Sequence, residues 1–156
     1  MTLLQSAAAI GLEIATRLAT RTVALGAETS LGAKVFRGRR LIDDDQVPCV
    51  AIIEGNDEVE EGESRRSLDT RITQHYVMLA YVPCDPANPN DAAHAAIRDM
   101  KRALFSTAGQ PDRTLGEKVK RVRYRGRDIG PRADGAAFVV ASIEVSVEFV
   151  EDLANP

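Results

Sequence analysis

The sequence predicts an α+β domain with a mixed, mostly antiparallel sheet of about four to five strands and two main helices packed on it. Apolar residues recur at three- and four-residue spacing in two segments, as in amphipathic helices. Elsewhere they alternate with polar residues or form short runs, as in strands. The chain has 156 residues, of which 44% are hydrophobic. This length suits one core, so we expect a single domain over residues 1–156.

The two helices are predicted from stripes of apolar side chains. The first helix is expected over residues 3–25 and ends near Gly26, because glycine commonly follows a helix end. The second is expected over residues 90–105, with Arg98, Asp99, Lys101 and Arg102 mostly away from its apolar side. The first stripe consists of Leu4, Ala7, Ala8, Ile10, Gly11, Ile14 and Leu18, and the second of Ala93, Ile97, Met100 and Leu104.

Five extended segments are predicted, over residues 34–37, 47–54, 70–82, 119–127 and 139–150. The last alternates most regularly, which gives it one dry face and one wetter face. The segment before it is expected to form a hairpin with it, with four arginines on one face and Val122 and Tyr124 on the other. Residues 43–46 are expected to form a polar turn. Residues 55–69 contain few large apolar side chains and are expected to form a mobile acidic loop.

Charge is divided sharply along this chain. Residues 43–63 contain nine carboxylates and no Lys or Arg, whereas residues 113–127 contain seven basic residues and one acid. Charge runs usually form solvated faces, but two opposite runs in one small domain favour a head-to-tail contact between copies. The candidate subunit-interface residues are Asp43, Asp44, Asp45, Asp57, Glu58, Glu60, Glu61, Arg121, Arg123, Arg125 and Arg127.

No pattern in the sequence predicts a catalytic, cofactor-binding or metal site. His75 and His94 have no Cys, Asp or Glu at zinc-site spacing, and Cys49 and Cys84 fit neither a metal site nor a disulfide framework. The segment from Gly26 to Lys34 departs from a phosphate-binding loop in spacing and in the order of its flanking elements, which favours a plain helix-to-strand connection. We therefore expect no cofactor and no enzymatic activity.

Composition also limits the partners. The formal net charge is −3 and aromatic residues make up 4% of the chain, which disfavours general nucleic-acid binding and base stacking. Glu13 and Arg17 interrupt the apolar N-terminal segment, so we expect neither a signal peptide nor a membrane span. The protein is expected to be made and kept in the cytosol.

The segment VFRGRRLIDDDQVPCVAIIEG at residues 35–55, the long strand into Val82 and the alternating last strand resemble a known family. They are similar to tail terminator proteins of long-tailed bacteriophages and prophages, the lambda-type minor tail protein U family. This resemblance implies a compact α+β subunit that forms a hexameric ring in the virion tail and is assembled in the bacterial host cytoplasm. The implied partners are other copies of the chain, the tail-tube protein and the head connector protein. Genomic DNA would pass through the ring without sequence-specific binding.

Two alternatives stay open at this point. Head-tail connector and tail completion proteins of a neighbouring layer share much of the same pattern. A small enzyme or ligand-binding protein could assemble a site from residues that are scattered in the sequence. A saturable response in a ligand-binding thermal-shift panel would favour the latter.

Overall fold

The structure is a computed structural model that describes residues 6–60, 68–131, 135–154 and 156. These residues form two α-helices and seven β-strands. The helices are α1 (Ala7–Ala19) and α2 (Pro89–Phe105). The strands are β1 (Val35–Arg37), β2 (Cys49–Glu60), β3 (Asp69–Pro83), β4 (Ser106–Thr107), β5 (Gln110–Pro111), β6 (Arg121–Ile129) and β7 (Phe138–Asp152).

Five strands form one mixed sheet in the order β1-β2-β3-β7-β6. Strand β1 runs parallel to β2, and the other three pairs are antiparallel. The short strands β4 and β5 form a separate two-stranded sheet. The predicted α+β class, the mostly antiparallel sheet, the two helices and the β6–β7 hairpin are therefore confirmed.

Helix α1 is shorter than the sequence predicts. Among the described residues it begins after Ser6, whose hydroxyl accepts a hydrogen bond from the Ala9 N–H, and residues 3–5 of the predicted helix lie outside the described part. It ends at Ala19, where the Thr20 hydroxyl donates to the Arg17 carbonyl. A threonine that bonds the local backbone in this way competes with helix continuation. Residues 23–25 form a separate 3-10 turn that stops at Gly26, which has a φ of 92°. The chain thus passes from a helix to strand β1 in the order that the sequence predicts.

The core lies between the two helices and one face of the sheet. Alternate residues of β7 are buried there, as predicted, and buried residues of β3 lie opposite them across the strand pair. The predicted stripe of α2 is buried throughout. The predicted stripe of α1 is buried from Ile10 to Leu18, but Ala8 is exposed and Leu4 lies outside the described residues. The main buried side chains are Ile10, Ile14, Leu18, Tyr76, Met78, Ala80, Ile97, Met100, Leu104, Ala141, Ile143, Val145, Val147 and Phe149.

One charged residue of α2 contradicts its predicted surface position. The side chain of Asp99 is fully buried, and it accepts hydrogen bonds from the backbone N–H groups of Glu28 and Thr29 and from the Thr29 hydroxyl. Glu28 in turn pairs with the guanidinium groups of Arg98 and Arg102, each at 2.9 Å. The hydrogen bond from Arg98 is the main reason that the pKa of Glu28 is lowered. This network fixes the connection after α1 against α2.

Strand β2 also differs from its prediction. It continues to Glu60, so residues 55–60 form strand where the sequence predicts a loop. These residues pair with β3 through a register that is interrupted once, between Glu54 and Asp57. Residues 61–67 of the predicted loop lie outside the described residues. The mobility of this segment stays a prediction.

Candidate interaction surface

The helices cover one face of the sheet. We call the other face, which the helices do not cover, the open face. On β3, residues 76, 78, 80 and 82 point to the helices and are buried, whereas Val77, Leu79 and Tyr81 point the other way and are half-buried. The open face is apolar near the start of β2, where Ile53 lies beside Val77. Toward the end of β2 it becomes charged.

Four charged side chains form a series across the charged half of this face, which we call the charged ladder: Glu60 of β2, Arg71 of β3, Glu148 of β7 and Arg123 of β6. The Arg71 guanidinium lies 3.6 Å from the Glu60 carboxylate and 3.4 Å from that of Glu148. Glu148 lies 3.9 Å from Arg123. Acid and base therefore alternate over four adjacent strands, as favourable cross-strand pairs do.

The charged ladder lines a cleft of about 330 Å³. Arg125 reaches into this cleft, where its Nε donates a 3.0 Å hydrogen bond to the buried Ser146 hydroxyl. At the β2 side, Glu58 lies 3.5 Å from His75 Nε2. Glu58 and Glu60 are both about three-quarters exposed (75%), so the acidic side of the cleft is open to a partner.

The structure does not separate the acidic and basic segments into two distant surfaces. Glu58 and Glu60 lie in the same cleft as Arg123 and Arg125. The sequence favours a contact of these charges between copies, which stays a prediction. Within one subunit they are already linked through Arg71 and Glu148. The reason is register: the antiparallel pairing of β2 with β3, of β3 with β7 and of β7 with β6 brings the end of β2 level with the start of β6.

The acidic candidates do not form one surface. Asp43, Asp44 and Asp45 lie in and just before a 3-10 turn that precedes β2, which confirms the predicted polar turn. Glu58 lies nine residues beyond the first residue of β2. At about 3.3 Å per residue, roughly 30 Å of strand separates these two acidic groups. Asp57 pairs with Gln74 and points to the opposite side from Glu58, and Glu61 lies outside the described residues.

The arginines of β6 do not all share one face. Arg121 and Arg123 pair with Glu148 and Ser146 on the open face. The register shifts between Tyr124 and Gly126, so that Arg127 pairs with the buried Ile143 instead. The Arg127 Nη1 atom lies 3.5 Å from His94 Nδ1 on α2. An extra residue in one strand reverses the alternation beyond it, which is why the prediction is wrong for Arg127.

Sequence reasoning missed the middle of the charged ladder. Arg71 and Glu148 join the two predicted groups, yet neither lies in a charge run. Glu148 belongs to the wetter side of the predicted last strand, and Arg71 begins the long strand beside it. A correct β3–β7 register would have placed them on the same face.

A second groove lies along the outer edge of β6, beside the loop that precedes this strand, with a volume of about 650 Å³. Tyr124 contributes its ring, which is 41% exposed and meets the Phe105 ring edge-on at 6.5 Å. The Lys101 ammonium lies 4.5 Å from the centre of the Tyr124 ring, within the range of a cation–π contact. Arginines 113 and 121 complete a basic, partly aromatic rim.

No group of three His, Cys, Asp or Glu side chains in residues 6–60, 68–131 and 135–154 could hold a metal ion. Burial raises the pKa of Cys49, which keeps its thiol protonated and unreactive. No helix in the described part of the chain is long and apolar enough to cross a membrane. The open face presents charged side chains, and the adjoining parts of β2 and β6 are exposed.

Comparisons with known proteins give a likeness among solved structures. No family model matches the chain, and no curated protein matches it. Among solved structures, it is similar to a chain of the virion of a native gene transfer agent (GTA) particle, with a TM-score of 0.55 and 12% sequence identity. The match covers 94% of this chain and 99% of that one. At this identity the likeness shows a shared fold.

Proposed function

We propose that this chain is a virion structural protein that forms a hexameric ring, ends tail-tube polymerisation and provides the surface to which the head attaches. The observation that carries the proposal is the shared fold with a chain of a virion, because the match leaves almost nothing of either chain unaligned. The tail-terminator features of residues 35–55, β3 and β7 point in the same direction.

The open sheet face supports an assembly role over an enzymatic one. Its charged half is lined by charged and polar side chains and flanked by exposed strands, whereas small-molecule sites are usually mostly apolar. A subunit of a ring has to present two unlike surfaces to its neighbours, and unlike charges at the ends of one sheet provide them. One face of such a ring would bind the end of the tail tube, and the opposite face would differ from the end of the tube. Tube growth would stop there, because that face offers no binding site for the next tube subunit.

The test is deletion of the gene in an inducible prophage that carries it, followed by electron microscopy of the lysate. The proposal expects over-long or head-free tails, and wild-type expression from a plasmid should restore normal particles. Normal-length tails attached to heads would reject the terminator role. Short or absent tails would instead indicate a role earlier in tail assembly.

A further inference from the structure

The five-stranded sheet has two open edges in the described chain. Strand β6 is the last strand on one side. On the other side, β1 pairs only with residues 50–52 of β2, and the Gly38 N–H donates to the Ile52 carbonyl. The outer half of β2, residues 53–60, therefore has β3 on one side and no strand on the other among the residues described. Exposed strand edges are templates for pairing with another chain.

The two edges carry opposite charges. In the outer half of β2, residues 54–60 are all exposed and include four carboxylates and no basic residue. Strand β6 contains four arginines, all exposed, and one acid, Asp128. Pairing of either edge with its own copy would place like charges side by side, which is unfavourable. Pairing of one edge with the other would place carboxylates beside guanidinium groups.

Part of β6 is already covered, which limits where a second strand could add. The Val122 N–H donates to the Arg113 carbonyl, so the loop before β6 shields its first residues. Beyond Val122, the strand continues past the bulge to Ile129. This segment has about the same number of residues as the outer half of β2.

Strand direction favours the same contact. Successive antiparallel pairs make β2 and β7 run one way and β3 and β6 the other. Copies placed side by side with equal strand directions bring β6 of one copy antiparallel to β2 of the next. The contact would continue the antiparallel pattern and keep the open faces of all copies on one side. Closure of such a ring would leave neither β6 nor the outer half of β2 with a free edge.

We infer that neighbouring copies of this chain join by adding the outer half of β2 of one copy to β6 of the next. The inference rests on the proposed ring and names the surfaces that build it. The charged ladder then extends from one copy to the next, because each copy has an acid at its β2 end and arginines at its β6 end.

The test is charge-swap complementation with purified full-length protein. One variant carries Asp57→Lys, Glu58→Lys and Glu60→Lys, and the other carries Arg121→Glu, Arg123→Glu and Arg125→Glu. Each variant alone has two edges of the same sign, so we expect its association at low salt to fall at least tenfold against wild type. An equimolar mixture restores opposite edges at every contact, and we expect an alternating ring of wild-type size. Sedimentation velocity and negative-stain microscopy measure both results.

Asp43→Lys, Asp44→Lys and Asp45→Lys together form the matched control, since they change the charge equally at the far end of β2. This control should assemble like wild type, and circular dichroism should show folded protein in all cases. Variants that assemble alone, a mixture that stays monomeric, or wild type that is monomeric at high concentration and low salt would each overturn the inference. The prophage deletion tests the proposed function independently of this contact. A tail terminator whose subunits join through other surfaces would give the expected over-long or head-free tails on deletion, but its charge-swap variants would not show the expected complementation.

Discussion

The two faces of the sheet are made by the same strands but do different things. On β7, Ile143, Val145 and Val147 point to the helices and are fully buried. Between them, Glu144 and Ser146 point to the open face, where Ser146 accepts a hydrogen bond from Arg125. The helix-covered face stabilises the subunit by removing apolar area from water. The open face retains charge and exposed edges, which in a monomer contribute little to stability and can serve assembly.

Truncation of adjacent residues of β3 should give the largest contrast between the faces. Met78 is fully buried against the helices, whereas Leu79 is half-buried on the open face. We expect Met78→Ala to lower the free energy of unfolding by about 3 kcal/mol, because buried truncation also leaves a cavity. Leu79→Ala should cost about 1 kcal/mol, since much less of its surface leaves water on folding. Urea unfolding at low protein concentration measures both, and equal losses would contradict the assignment of an open face.

The buried carboxylate of the helix layer should give the next largest effect. The two carboxylate oxygens of Asp99 accept three hydrogen bonds. In Asp99→Asn one of these oxygens is replaced by an NH₂ group, which cannot accept a hydrogen bond. We expect a loss of about 2 kcal/mol, the usual range for leaving buried donors unsatisfied. Asp91→Asn is the control, because Asp91 is an exposed carboxylate at the start of the same helix. Thermal unfolding measures the pair, and similar losses for both would contradict the role of Asp99.

Sequence periodicity predicted the covered face better than the open one. The stripes of α1 and α2 and the alternation of β7 identify core residues directly, because burial imposes a fixed period on apolar side chains. Asp99 was misplaced since a buried charge is rare and depends on partners from a distant connection. Residues 55–60 were misread because their charged side chains carry no strand pattern. They are held in place by pairing with β3, which is a tertiary effect.

The open face could be predicted only in part, because its contacts depend on how the strands pair. The charge runs identified Glu58, Glu60, Arg123 and Arg125, which do meet in one cleft. The link through Arg71 and Glu148 required the register of three strand pairs. The orientation of Arg127 toward α2 could be predicted only with knowledge of the bulge near Gly126, which has a φ of 150°. A glycine inside a strand pattern signals a bulge without fixing its position.

The smallest effect is expected from the charged ladder itself. Arg71→Gln removes the central cation between Glu60 and Glu148, but the Arg71 side chain is 48% exposed. We expect a loss of less than about 1 kcal/mol in the monomer, and one that shrinks as salt is added, because solvent and ions screen such pairs. Arg71→Lys should recover part of the loss, since it retains the charge without the planar guanidinium. Chemical unfolding at low and high salt measures this difference. A loss above 2 kcal/mol that did not change with salt would show that the ladder stabilises the subunit, and the contrast between a stabilising face and an assembly face would no longer hold.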